Sequence, residues 1–142
     1  MNGRLTPLWR LRATLAAVCF PPLVHVVSLT RLTGWIERRR PASRAADVWD
    51  VALAEWVDRV LTTLPPPWRR TCLKRAIALL YLIHRAGRTA LLQVGVRRDD
   101  KGDLVAHAWL ERNGVAYLET GTERLDTFQV LATFPGTAEV NR

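Results

Sequence analysis

Apolar and polar positions change their spacing along this chain, and the changes divide it into three stretches. Residues 5–38 are apolar runs broken by Arg. Two helix-like stretches follow, and beyond residue 89 the pattern becomes one of short strands. Within 45–64, Val48, Ala52, Leu53, Trp56, Val60 and Leu64 recur at three- and four-residue steps, while Asp47, Asp50, Asp58 and Arg59 fall elsewhere on the wheel. Pro65-Pro66-Pro67 must end that helix, because proline neither donates the helical hydrogen bond nor fits beside the preceding turn. A second helix is expected from about Thr71 to Ala86. Thr71 is its cap, Gly87 its left-handed terminator, and Cys72, Ala76, Leu79, Leu80 and Ile83 lie on one face.

Strands are expected over 89–96, 104–111, 115–120 and 126–133. A polar turn at 97–103 closes with Gly102, a hairpin turns at Arg112-Asn113-Gly114, and Pro135-Gly136 ends the last strand. In the first stretch, the apolar segment 13–29 is broken by Pro21-Pro22 and His25. It reads as two short helices joined at the proline pair, ending at Arg38-Arg39-Arg40 and Pro41. Helices first and an antiparallel sheet afterwards define an α+β fold.

A length of 142 residues fits one domain. It divides into a basic helical extension over 1–44 and a core over 45–142. Charge sharpens the division. Residues 1–46 carry eight Arg and one Glu, or +7, whereas 47–142 carry thirteen basic and twelve acidic residues, or +1. Such an extension suits nucleic acid, anionic lipid or an acidic protein surface, or is simply a solvated basic face, and no motif points to nucleic acid. The segment 13–29 is too short and too interrupted for a spanning helix and lacks a clear cleavage site, so the chain is read as cytoplasmic, with peripheral membrane contact left open. Two Cys, at 19 and 72, sit in unrelated contexts and make no disulfide framework. There is no Cys/His cluster, so neither a metal nor another cofactor is expected.

Candidate chemistry centres on Cys72. A lone helical Cys is usually a small buried hydrophobe. In the first turn of a helix, however, backbone N–H groups and the positive end of the dipole favour negative charge on sulfur, and could also hold an oxyanion. His107 follows in mid-strand, and Glu119 lies twelve residues later on the adjoining strand. With a three-residue loop at Arg112-Asn113-Gly114, 107 faces 119 and 109 faces 117, so His107 and Glu119 share one side. A two-residue Asn113-Gly114 turn puts Glu119 on the opposite face. The expected set is therefore Cys72 as nucleophile, His107 as base and acid, and Glu119 orienting His107, with Asp126 as the reserve acid. A helix-start Cys, a strand His and an acid on the next strand follow the order of papain-like and transglutaminase-like folds.

Thr71-Cys72-Leu73-Lys74-Arg75-Ala76, the Leu-rich helix ending at Gly87, the strand over 92–96 and His107-Ala108-Trp109-Leu110-Glu111 resemble the leader peptidases of lasso peptide biosynthesis, which are transglutaminase-like cysteine proteases. The resemblance runs from about 45 to Pro135. It implies that Cys72 and His107 match the family's nucleophile and base, and that Glu119 stands where the family usually has Asp. It also implies cleavage of a lasso precursor at the leader–core junction. The first 46 residues do not look like the leader-recognition domain fused in other members, so a split form is expected. Such a form works with a separate leader-recognition protein and beside a macrolactam synthetase. The rival readings are a thiol-dependent acyltransferase or transglutaminase of the same fold, and a non-enzymatic basic docking protein.

Overall fold

A computed structural model describes residues 5–39, 50–65, 71–119 and 124–134. Four helices come first: α1 (Pro7–Val26), α2 (Leu29–Arg38), α3 (Asp50–Thr63) and α4 (Cys72–Arg85). Four strands follow: β1 (Leu91–Arg98), β2 (Leu104–Arg112), β3 (Val115–Tyr117) and β4 (Gln129–Phe134), with a 3-10 turn at Leu125–Thr127 before β4. They form one sheet in the order β3-β2-β1-β4, antiparallel at every pairing. The α+β expectation holds.

The middle of the fold is α4, which touches α1, α2, α3, β1 and β2. Ile77, Ala78, Leu79, Leu82 and Ile83 are fully buried along it. Burying each large aliphatic side chain contributes about 1.5–3 kcal/mol. Thr71 caps its start, its side chain accepting from the Lys74 N–H at 3.3 Å. At the far end the Gly87 and Arg88 N–H groups donate to His84 and Ile83, and Gly87 has φ +84°. This is the Schellman ending that the glycine predicts.

The N-terminal helices depart from expectation. Pro21-Pro22 does not divide them, for α1 continues to Val26, and the break falls at Val27 and Ser28, where Ser28 accepts from the Arg31 N–H and starts α2. Proline weakens a helix by removing donors, but Phe20 and Pro21 are buried here, and tertiary packing outweighs that loss. Phe20 lies 5.0 Å from Tyr81 of α4, and Trp35 of α2 stacks on the same ring at 6.2 Å. Three helices thus share one aromatic contact.

The face of α3 is rotated from the expected one. Leu53, Ala54, Val57 and Leu61 are buried, whereas Ala52, Trp56, Val60 and Leu64 are half-buried. Trp56 stays at the rim, where its Nε1–H donates to Thr14 Oγ1 at 2.9 Å and Arg10 lies over the ring. An indole N–H needs such a partner, and a fully apolar site would not offer one. The expected start of this helix near 45, with Val48, lies outside the described residues, as do Arg40, Pro41, Pro66, Pro67, Thr120 and Pro135-Gly136.

Strand boundaries also shift. The first strand runs over Leu91–Arg98, which shortens the expected polar turn to 99–103, where the Asp99 carboxylate accepts from the Lys101 and Asp103 N–H groups. The strand expected at 126–133 begins only at Gln129, because Leu125–Thr127 is a 3-10 turn.

Candidate active site

The hairpin that carries His107 closes with two residues, not three. Arg112 pairs with Val115, Glu111 with Ala116 and Leu110 with Tyr117. Asn113 and Gly114 both have positive φ, at 54° and 78°. That is the mirror-image turn an Asn-Gly pair favours, because its twist matches the strands. The expected pairs 107/119 and 109/117 are therefore wrong, and Trp109 and Tyr117 lie on opposite faces. By strict alternation Glu119 would follow Ala108, on the face away from His107.

Glu119 nevertheless reaches His107. β3 ends at Tyr117, and Leu118 takes φ +61°, a left-handed conformation that costs a non-glycine residue about 1–2 kcal/mol. This single left-handed residue breaks the alternation. The His107 Nε2 and Glu119 Oε2 then stand 3.2 Å apart, with Nε2–H donating to the carboxylate. That bond leaves Nδ1 as the nitrogen able to accept a proton.

His107 belongs to the face of the sheet turned away from α4. Leu92, Ala108 and Leu110 enter the core with the helices. The alternate positions Gln93, Gly95, His107 and Trp109 form the other face, by the register that pairs Gln93 with Trp109 and Gly95 with His107. Trp109 stacks on His107 with centroids 5.9 Å apart, and Phe128 lies 5.6 Å from His107 and 5.9 Å from Trp109. Gly95 makes room for them. A Cβ there would stand 3.0 Å from the Trp109 ring and from the Gln129 carbonyl, and 3.2 Å from Phe128.

Cys72 is the first residue of α4, partly buried and free. No hydrogen bond joins it to His107 among the described residues. The link between α4 and the imidazole runs through Arg75, one turn beyond Cys72. Its side chain is buried, donating from Nε to Asp58 Oδ1 of α3 and from Nη2 to the Leu118 carbonyl, both at 2.7 Å. Its Nη1 stands 3.9 Å from Glu119 Oε1. Asp126, the reserve acid, sits in the 3-10 turn with its side chain 69% exposed and pairs with Arg124 at 3.2 Å.

Sequence reasoning gave Arg75 no role. A signal was present, because an Arg among Leu, Ala and Ile on an otherwise buried helix needs a partner inside. Phe128 was missed too, since a lone Phe beside a turn does not reveal which ring it will meet.

A capped helix that begins with a thiol, followed by a small antiparallel sheet packed on that helix, is the arrangement of a transglutaminase-like fold. The chain belongs to the transglutaminase-like superfamily, which matches residues 9–133 and whose members are generally cysteine peptidases and transferases. The match takes in α1 from Trp9 onward and α2 together with the sheet. No curated protein and no solved structure matched the chain.

Proposed function

We propose that this protein is a cysteine protease that removes the leader from a lasso peptide precursor at the leader–core junction. The observation that carries the catalytic part of this reading is the Glu119–His107 bond, kept by Leu118 against the strand's own alternation. The leader-peptidase part rests on the resemblance carried by Cys72-Leu73-Lys74-Arg75 and by His107-Ala108-Trp109.

In the reaction, His107 Nδ1 takes the Cys72 thiol proton, and sulfur attacks the scissile carbonyl. The tetrahedral oxyanion faces the first-turn N–H groups of α4. The imidazolium protonates the leaving amine, which departs as the core peptide, and the leader remains as a thioester. His107 then activates water, which releases the leader and restores the thiol.

The test is incubation of the chain with a lasso precursor and a leader-recognition protein, read by mass. Free core plus leader supports the reading, and intact precursor with both partners present overturns it. The family match supports acyl transfer to an amine as the second reading. A leader product carrying an added amine would establish that reading instead.

The recognition protein meets the N-terminal helices, with the macrolactam synthetase alongside. Leu8, Leu11 and Leu15 of α1 are exposed, and a groove of about 240 Å³ beside them is lined by Arg12, Cys19, Leu23, Trp35 and Tyr81 among others. An apolar stripe with a basic rim fits an amphipathic acidic partner. Reversing Arg38, Arg39 and Arg40 to Glu should slow association at low salt and flatten its salt dependence. Unchanged association would rule out this surface. Among the described residues no helix is long and apolar enough to cross a membrane.

A further inference from the structure

The register of β2 and β3 sends Glu119 away from His107, and the left-handed Leu118 brings it back. Such a backbone persists only when its surroundings over-determine it. The Leu118 side chain packs against the core, and one side chain holds its carbonyl. Arg75 donates to the Leu118 carbonyl at 2.7 Å and sets its Nη1 3.9 Å from the Glu119 carboxylate. It is itself fixed by Asp58 of α3, at 2.7 Å from its Nε. Three arms of one planar guanidinium therefore face three acceptors, a geometry that the ammonium of Lys does not reproduce.

We infer that Arg75 is a positioning residue: by clasping the left-handed Leu118 carbonyl and facing the Glu119 carboxylate, it holds Glu119 on the side of the sheet where His107 stands. The inference deepens the catalytic reading of Cys72, His107 and Glu119 and rests on it for its functional meaning. It gives the Arg three residues after the nucleophile a reason to be there. The same helix that begins with the thiol also sets the acid that orients the base. A shift of α3 through Asp58, or of the chain after β3, would reach the imidazole by this route.

The clasp can be tested without substrate. Long-range 1H–15N correlation of the His107 ring at alkaline pH reads which nitrogen carries the proton. In the parent chain the Nε2–H form should dominate. Arg75→Lys should lower the Nε2–H share toward that of a free imidazole, which itself favours Nε2–H, and should leave that proton in fast exchange with solvent. Leu118→Val should do the same while leaving the Arg75–Asp58 pair intact, because a β-branched residue resists positive φ. Should Arg75→Lys fail to fold, Leu118→Val decides alone. Both folded variants keeping the parent's Nε2–H share and exchange would overturn the inference.

A second measurement separates the clasp from the function. Iodoacetamide alkylation of Cys72, with the exposed Cys19 as internal reference, should slow about tenfold or more in either variant, as misplaced catalytic groups lose such factors. If Cys72 in the parent reacts no faster than Cys19, the catalytic reading fails while the ring signature still judges the clasp. If Cys72 is fast and the variants leave the ring signature unchanged, the clasp fails and the catalytic reading stands.

Discussion

The two faces of the sheet are built by different rules. On the helical face, Leu92, Ala108 and Leu110 are sealed under α4, and side chains there need only be apolar and of the right volume. On the other face, Gln93 accepts from Thr133 at 2.6 Å, His107 pairs with Glu119, and Trp109 and Phe128 box in the imidazole. Each of those groups depends on a particular partner. The β-bulge between β1 and β4 falls on the step into Gly95, the position where the Trp109 ring comes closest. One face holds the domain together, and the other holds a geometry.

The largest effect that would sharpen this contrast is on turnover. Cys72→Ala and His107→Ala should each lower cleavage of the precursor by about a thousandfold or more. His107 packs on Trp109 and Phe128, so its loss should also cost about 1–3 kcal/mol of stability, at about 0.5–1.5 kcal/mol for each ring contact. Glu119→Gln keeps the shape of the pair and should leave a residual rate. Full activity in the Gln variant would remove the acid from the mechanism, since Asp126 is turned to Arg124.

Leu79→Ala is the reverse experiment, on the helical face. Leu79 is wholly buried, and its truncation should cost about 2–5 kcal/mol. At about 2–4 °C per kcal/mol for a chain of this size, the melting temperature should fall clearly. The rate per folded molecule should stay near that of the parent. A collapse of the rate with little change in melting would show that the two faces are not separable in this way.

The same contrast explains how much could be read beforehand. The α+β order, the Thr71 cap, the Gly87 stop and the burial of Leu79, Leu80 and Ile83 all follow from local patterns that obey one period. The misses cluster where two local rules compete. Asn113-Gly114 favoured a two-residue turn, and a three-residue loop was preferred because it alone put Glu119 beside His107. The structure keeps both the two-residue turn and the contact. It does so through a left-handed Leu, which local propensity disfavours and which core packing and the distant Arg75 hold in place. In α1, packing of Phe20 against Tyr81 and Trp35 overrode a proline pair. The Glu119–His107 contact was rightly expected, for a geometric reason that was wrong.

Gly95→Ala probes the outer face at its tightest point. A methyl group there meets the Gln129 carbonyl and the Trp109 ring at 3.0 Å, so one of them must move. Overpacking of this kind typically costs about 1–3 kcal/mol. Because Trp109 stacks on His107, the rate should fall along with stability, unlike in Leu79→Ala. A stability loss with an unchanged rate per folded molecule would mean that the aromatic box does not set the imidazole.

The smallest expected effect concerns Asp50 of α3, whose side chain is mostly buried and pairs with Arg88 at 2.8 Å, with Arg112 at 4.0 Å. Burial raises its carboxyl above the ordinary value near 3.8, and the opposing pull of Arg88 and then Arg112 does not cancel this. The folded state therefore binds this proton more readily than the unfolded chain does. Its ionisation weighs against folding at neutral pH, and the penalty is relieved as pH falls through the folded-state value. Asp50→Asn removes the buried charge together with its ion pair, so the two effects oppose each other at neutral pH. Urea unfolding of parent and variant at neutral and mildly acidic pH checks the sign. The parent should gain on the Asn variant as pH is lowered. If its advantage is instead greatest at neutral pH and fades on acidification, attraction to Arg88 outweighs burial, and this charged seam at the edge of the helical layer stabilises the fold as firmly as the apolar contacts beside it.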